Sequence, residues 1–184
     1  MKRKLLVIVT LMSMAALSAV AGMKNPMVGG QEMYPTKNIV ENAVNSTDHT
    51  TLVAAVKAAG LVETLEGPGP FTVFAPTNEA FSKLPASTVD TLLKPENKPM
   101  LTKVLTYHVV AGRLSSHDLL KMIKDGKGTA ELTTVEGGKL WVMLHDGKNI
   151  ELKDEKGGIA MVTIADVFQS NGVIHVIDSV VLPN

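Results

Sequence analysis

Residues Phe71–Phe81, FTVFAPTNEAF, fix more of the architecture than any other segment. They read as a strand that turns into a helix. In an extended chain Phe71 and Val73 face one way, and Thr72 and Phe74 the other. Apolar residues on both faces predict a strand covered on both sides. Pro76 has no N–H to donate and stops the ladder. Thr77 then offers a hydroxyl cap to a helix, and Glu79 places negative charge in its first turn. Ala80, Phe81 and Leu84 give this helix an apolar side, and Pro85 ends it.

The N-terminus is read separately from the fold. Lys2, Arg3 and Lys4 precede the apolar run Leu5–Leu11, which small residues extend to Leu17, and Ala19-Val20-Ala21 has a small-x-small pattern. This predicts a signal peptide over residues 1–21, cleaved after Ala21, and therefore a secreted or periplasmic protein. The apolar run is short and broken by Ser13 and Ser18, which favours a cleaved signal over a retained anchor. No membrane span is expected after its removal. Residues 22–35, small, polar and Met-containing, are expected to be a flexible segment, with one domain over residues 36–184. The chain has no cysteine, so neither a disulfide nor a lipid on a processed cysteine contributes. The core alone must hold the fold.

The formal net charge of zero includes the three signal-peptide cations. Without them 15 basic residues face 18 acidic ones, a net charge of −3. Nucleic-acid binding calls for a basic face and stacking platforms. The acidic balance argues against the first, and stacking platforms are scarce, since the aromatics are one Trp, two Tyr and four Phe.

The remaining elements follow from periodicity and punctuation. Thr36 is the expected cap of a helix carrying Ile39, Val40, Ala43 and Val44. Asp48 or Thr50 is the expected cap of a second, with Leu52, Val53 and Val56 on one side and Gly60 as its stop. Met100, Leu101, Val104 and Leu105 recur at helical spacing, as do Leu119, Leu120 and Ile123 behind Ser116. From Thr129 the period changes to two. Strands are expected around Leu132, over Leu140–His145, around Ile150–Leu152, over Ile159–Phe168 and over Val173–Leu182. Asp146-Gly147 and Asn171-Gly172 are hairpin signals between them. Helices, a lone strand, more helices and then a run of antiparallel strands make an α+β domain.

Three segments together resemble the fasciclin (FAS1) domain family. Phe71–Phe81 looks like its first motif, Asn171–Pro183 (NGVIHVIDSVVLP) like its second, and Tyr107-His108 within LTYHVVAG like the tyrosine–histidine segment between them. The resemblance covers Thr36 to Pro183 and is most similar to small single-domain secreted bacterial members. It implies a wedge of mostly antiparallel β-strands with several α-helices packed along one side. It also implies an extracellular binding module for adhesion or surface and matrix association, with no enzymatic activity. Tyr107 and His108 become the candidate binding residues, because the matching pair is implicated in cell-surface recognition in some animal relatives. The partner it implies is a cell-surface or matrix protein or glycan, met by a monomer. Some relatives bind carotenoids, so the alternative is a carrier of an apolar pigment or lipid, with Met100, Met122, Met143 and Met161 lining an adaptable pocket.

The other candidate chemistry has simpler readings. The five histidines include no pair at metal-ligand spacing, so no metal site and no cofactor are expected. His49, His117 and His145 sit beside Asp48, Asp118 and Asp146 and read as solvated residues near turns and caps. His108 and His175 lie among apolar residues and read as neutral rings that need hydrogen-bond partners. No serine occupies a Gly-x-Ser-x-Gly elbow, and Ser115 and Ser116 beside His117 read as helix caps, so no catalytic residue is assigned. Asp178 reads as a structural acceptor.

Overall fold

A computed structural model describes residues 25–184. The expected signal peptide over residues 1–21 lies outside the described residues, as do residues 22–24.

The flexible segment expected over residues 22–35 gives way to structure from Asn25 onward. Strand β1 (Met27–Val28) pairs antiparallel with β2 (Gln31–Glu32). Val28 and Met33 are buried in the core, so the domain begins before Thr36. The burial of two large apolar side chains anchors this hairpin.

Helices come next. They are α1 (Ile39–Ala43), α2 (Thr50–Ala59) and α3 (Val62–Glu66). The cap of α1 is Asn38, not Thr36: its side chain accepts from Glu41 N–H while the Glu41 carboxylate accepts from Asn38 N–H. Neither Asp48 nor Thr50 caps α2, since a short 3₁₀ turn over Thr47–His49 leads into it. The cap comes from a distant residue instead: Asn78 Oδ1 accepts from Thr51 N–H at 3.0 Å. Gly60 ends α2 in the left-handed region, at φ 72°.

Strand β3 (Phe71–Pro76) runs into α4 (Asn78–Ser82), where Thr77 Oγ1 accepts from Ala80 N–H. Then come α5 (Ala86–Leu92), α6 (Lys98–Tyr107), β4 (Val109–Ala111) and α7 (Ser116–Asp125). Ser115 rather than Ser116 caps α7, in a capping box with Asp118. The strands β5 (Thr129–Thr133), β6 (Lys139–His145), β7 (Asn149–Lys153), β8 (Ile159–Gln169) and β9 (Gly172–Ile177) follow.

One seven-stranded sheet runs in the order β4-β3-β9-β8-β7-β6-β5. Every pairing is antiparallel except β3 with β9, which run parallel from Phe71↔Gly172 to Pro76↔Ile177. A single bridge between Val110 and Thr134 joins the two ends of the order, so the sheet curls back on itself. Gly172 is required at the start of the parallel pair, because a Cβ there would lie 2.2 Å from the Phe71 carbonyl oxygen.

The two faces of β3 feed two cores. Phe71, Val73 and Ala75 join Val167, Ile174 and Val176 beneath α1, α2, α4 and α6. Phe74 joins Leu119, Leu140, Leu152 and Ile177 on the other side, between α7 and the strands β5–β8. This is the double covering that the alternation of FTVFAP predicts. The expected strand over Val173–Leu182 is shorter, ending at Ile177. Beyond it side chains take over the backbone: Val181 N–H donates to His108 Nε2 at 3.2 Å and Leu182 N–H to Asp154 Oδ2 at 2.8 Å.

Candidate functional site

Tyr107 and His108 end α6 and are both interior. Tyr107 is 0 % exposed. Its hydroxyl donates to the Lys139 carbonyl and accepts from Glu155 N–H at 3.2 Å, tying α6 to β6 and to the turn after β7. Burial, first of all, pushes its pKa up to about 12. His108 is 2 % exposed. Nδ1 lies 2.8 Å from the Val104 carbonyl, which can only accept, so Nδ1 carries the proton and Nε2 accepts from Val181. Desolvation pulls its pKa down to about 4, so the ring is neutral at ordinary pH. Successive side chains thus serve different cores. Tyr107 packs among β5–β8, while His108 faces the helical side.

A second polar group stands beside β9. His175 is buried, with its ring stacked on Phe74 at 5.7 Å between centroids. Nε2 donates to the Leu114 carbonyl at 2.8 Å, and Nδ1 accepts from Asp166 N–H at 3.3 Å. Asp166 interrupts β8 in the left-handed region, at φ 60°. Its carboxylate accepts from the backbone N–H of Ser116 at 2.6 Å and from the Ser116 hydroxyl. Both ring nitrogens of His175 are therefore committed to backbone, and Ser116 to Asp166. The group locks the β8 irregularity to the start of α7.

Asp178 accepts from Met161 N–H at 2.8 Å and from Lys83 Nζ at 3.2 Å, the acceptor role its motif suggests. His117 and His145 are exposed, as their turn positions suggest. Among the described residues no group of three or more His, Asp or Glu is placed to hold a metal ion. Among them, too, no helix is long and apolar enough to cross a membrane.

His49 departs from the sequence reading. It is 3 % exposed rather than solvated. Nδ1 meets the Ser46 hydroxyl at 2.9 Å, while Nε2 has no hydrogen-bond partner. The Ala75 carbonyl lies near enough to favour the charged ring but outside hydrogen-bond geometry, and burial outweighs it and lowers the pKa. The sequence did carry a signal for this. His49 lies three, four and seven residues before Leu52, Val53 and Val56, on the same apolar face.

His49 lines an apolar cavity of about 70 Å³ between α1–α3 and the sheet. Ile39, Val56, Leu65, Phe71 and Val73 are among its walls. His108 also reaches it. Met33 is the methionine of its lining; Met100, Met122, Met143 and Met161 are elsewhere, with Met100 exposed and Met122 packed against the opposite core. Those four do not share one side of the sheet, so they cannot form the pocket the sequence suggested.

Comparison with known proteins agrees with this architecture. Residues 47–183 match the family described as Fasciclin domain. The chain is 52 % identical to Protein sll1483 of Synechocystis sp. over 160 residues, covering 87 % of this chain and 81 % of that protein. It is 36 % identical to the cell surface glycolipoprotein MPB83 of Mycobacterium bovis over 146 residues, 77 % of this chain and 58 % of that one. A solved FAS1 domain pair from the insect cell adhesion molecule Fasciclin I superposes with a TM-score of 0.71 at 20 % identity. That match covers 79 % of this chain and 51 % of the pair, and it shows a shared fold. The two motif strands, paired in parallel within the sheet, and the buried tyrosine–histidine pair between them in sequence therefore belong to a member of the fasciclin domain family.

Proposed function

We propose that this protein is a secreted or periplasmic binding module for adhesion or for association with a surface or matrix. The observation that carries the reading is the family match over residues 47–183. A relative named as a cell surface glycolipoprotein and a structural neighbour from a cell adhesion molecule support it. The partner is a cell-surface or matrix protein or glycan, engaged by a monomer. The site chemistry fits binding rather than turnover: His108 and His175 each spend both ring nitrogens on backbone groups. Tyr107 and His108 enter the reading as supports. They set the path of the Val180–Leu182 tail and the start of β6, and exposed neighbours meet the partner. Purified protein immobilised and exposed to the native cell envelope tests this reading. A specific surface protein or glycan identified by mass spectrometry upholds it, and recovery of none rejects it.

A second reading, a carrier of an apolar small molecule, is favoured by the cavity beside β3. Native mass spectrometry of protein purified from its own cells checks it. A co-purifying apolar compound supports carriage, and a uniformly ligand-free protein argues against it.

A further inference from the structure

We infer that the open face of the sheet across β5–β8 binds a neutral glycan, with the indole of Trp141 as the platform on which a sugar ring stacks. The inference rests on the binding-module reading and names one partner class and one surface for it.

Alternation along β5–β8 sends successive side chains to opposite faces. Ala130, Leu132, Leu140, Val142, Ile150 and Leu152 point inward and fill the core that α7 covers. The residues between them point the other way, and the cross-strand register sets them in rows. Glu131, Trp141, Lys153 and Ile159 lie side by side in one row. Thr129, Met143, Glu151 and Met161 make the next. With strands about 4.8 Å apart, each row is about 14 Å long. Among the described residues Trp141, Met143, Ile159 and Met161 belong to neither core, and Ile159 is 45 % exposed. Their apolar surface is left for something outside the fold.

The strand that presents the indole is braced from within. The Tyr107 hydroxyl donates to the Lys139 carbonyl, and Glu155 Oε1 accepts from Lys139 N–H at 2.9 Å. Both bonds lie two residues before Trp141 in β6. A backbone held in this way has little freedom to lose on binding. The buried tyrosine thereby becomes a positioning residue for the open face.

Charge selects the partner. Trp141 has Glu131 and Lys153 as its cross-strand neighbours and Lys139 two residues before it on the same face. Met143 and Met161 flank Glu151. Two carboxylates and two ammoniums balance, so the face favours neither a polyanion nor a polycation. A protein seated on the four apolar side chains would strip water from the charges between them, which is costly, and charged residues are depleted at the cores of protein interfaces. A neutral glycan avoids that cost. Its hydroxyls donate to the carboxylates and accept from the ammoniums, while the C–H face of a sugar ring covers the indole. Glu131 and Lys139, paired at 2.9 Å, keep side-chain exposures of 47 % and 55 % and are open to such hydroxyls.

Intrinsic fluorescence tests this directly, because Trp141 is the single tryptophan of the chain. The purified protein is titrated with cellohexaose, maltohexaose, xylohexaose and mannohexaose, and with polygalacturonate and dextran sulfate as anionic probes. A saturable change in emission is expected with at least one neutral oligosaccharide. Calorimetry with that oligosaccharide is expected to show roughly tenfold weaker binding for Trp141→Ala, the loss of one stacked ring. Trp141→Phe is expected to keep most of the affinity, and Glu131→Ala to lose severalfold. Should Trp141→Ala fail to fold, Glu131→Ala, at an exposed position, and the wild-type emission decide the matter. No response to any neutral probe overturns the inference and leaves the binding-module reading to the envelope capture described above. A response to the anionic probes alone overturns the neutral assignment. Glycan binding undiminished in both alanine variants overturns the site. A captured envelope protein, or a dimer seen by sedimentation, that is lost on Trp141→Ala assigns the face to a protein partner or a second copy and overturns the inference too.

Discussion

Phe74 and His108 show how single residues carry this fold. Phe74 is 0 % exposed, stacks on His175 and sits in the core between α7 and the later strands. Phe74→Ala is expected to cost about 3–5 kcal/mol, because the cavity left behind adds to the lost transfer energy. Urea denaturation of the two proteins measures the difference, and a loss under roughly 1 kcal/mol would contradict its place in the core. His108 makes stability depend on pH. Its ring is neutral in the folded state, with a pKa near 4 against an ordinary 6.5 when unfolded. The unfolded chain therefore takes up a proton first as pH falls. The contribution is fully present above pH 6.5 and is lost as pH drops toward 4, by roughly 3 kcal/mol in all. His49 and His175 are shifted in the same direction by the same cause, burial, and steepen the decline. Denaturation midpoints at pH 7.5 and pH 4 should show this loss, and His108→Gln should flatten it.

At the scale of elements, much of the organisation rests on asparagines that join distant segments. Asn171, in the turn between β8 and β9, accepts from Ile39 N–H and donates to the carbonyls of Leu65 and Gly67. One side chain thus satisfies the start of α1 and the end of α3. Asn171→Ala is expected to cost roughly 3 kcal/mol, since three interior backbone groups lose their partner. A chemical denaturation curve checks this, and a cost below roughly 1 kcal/mol would mean that water replaces the amide. These long-range bonds also explain what the sequence did and did not disclose. The strand FTVFAP, the Thr77 cap, the Gly60 stop and the Asp146-Gly147 turn depend on neighbours in the chain, and each was legible. Asn78 capping α2, and His108 and Asp154 receiving the chain after Ile177, depend on partners that only the fold brings near. The site divided the same way. Burial of Tyr107 and His108 follows from their apolar neighbours, whereas the orphaned nitrogen of His49 needs the cavity to be visible.

The whole molecule is a curled sheet with a different core on each side, closed without a disulfide. The fasciclin motifs form the parallel pair of β3 and β9, which feeds both cores, so what makes the chain recognisable is also what makes it fold. That separates kinship from contact: the motif side chains Phe74, Tyr107, His108 and His175 are interior. The direct measurement of this account is binding of the purified protein to intact cells, matrix proteins and a glycan array, with concentration varied. The account predicts saturable binding to at least one surface that survives substitution of exposed residues remote from the contact and disappears on unfolding. Absence of saturable binding on every surface, by protein whose fold is verified, would contradict it.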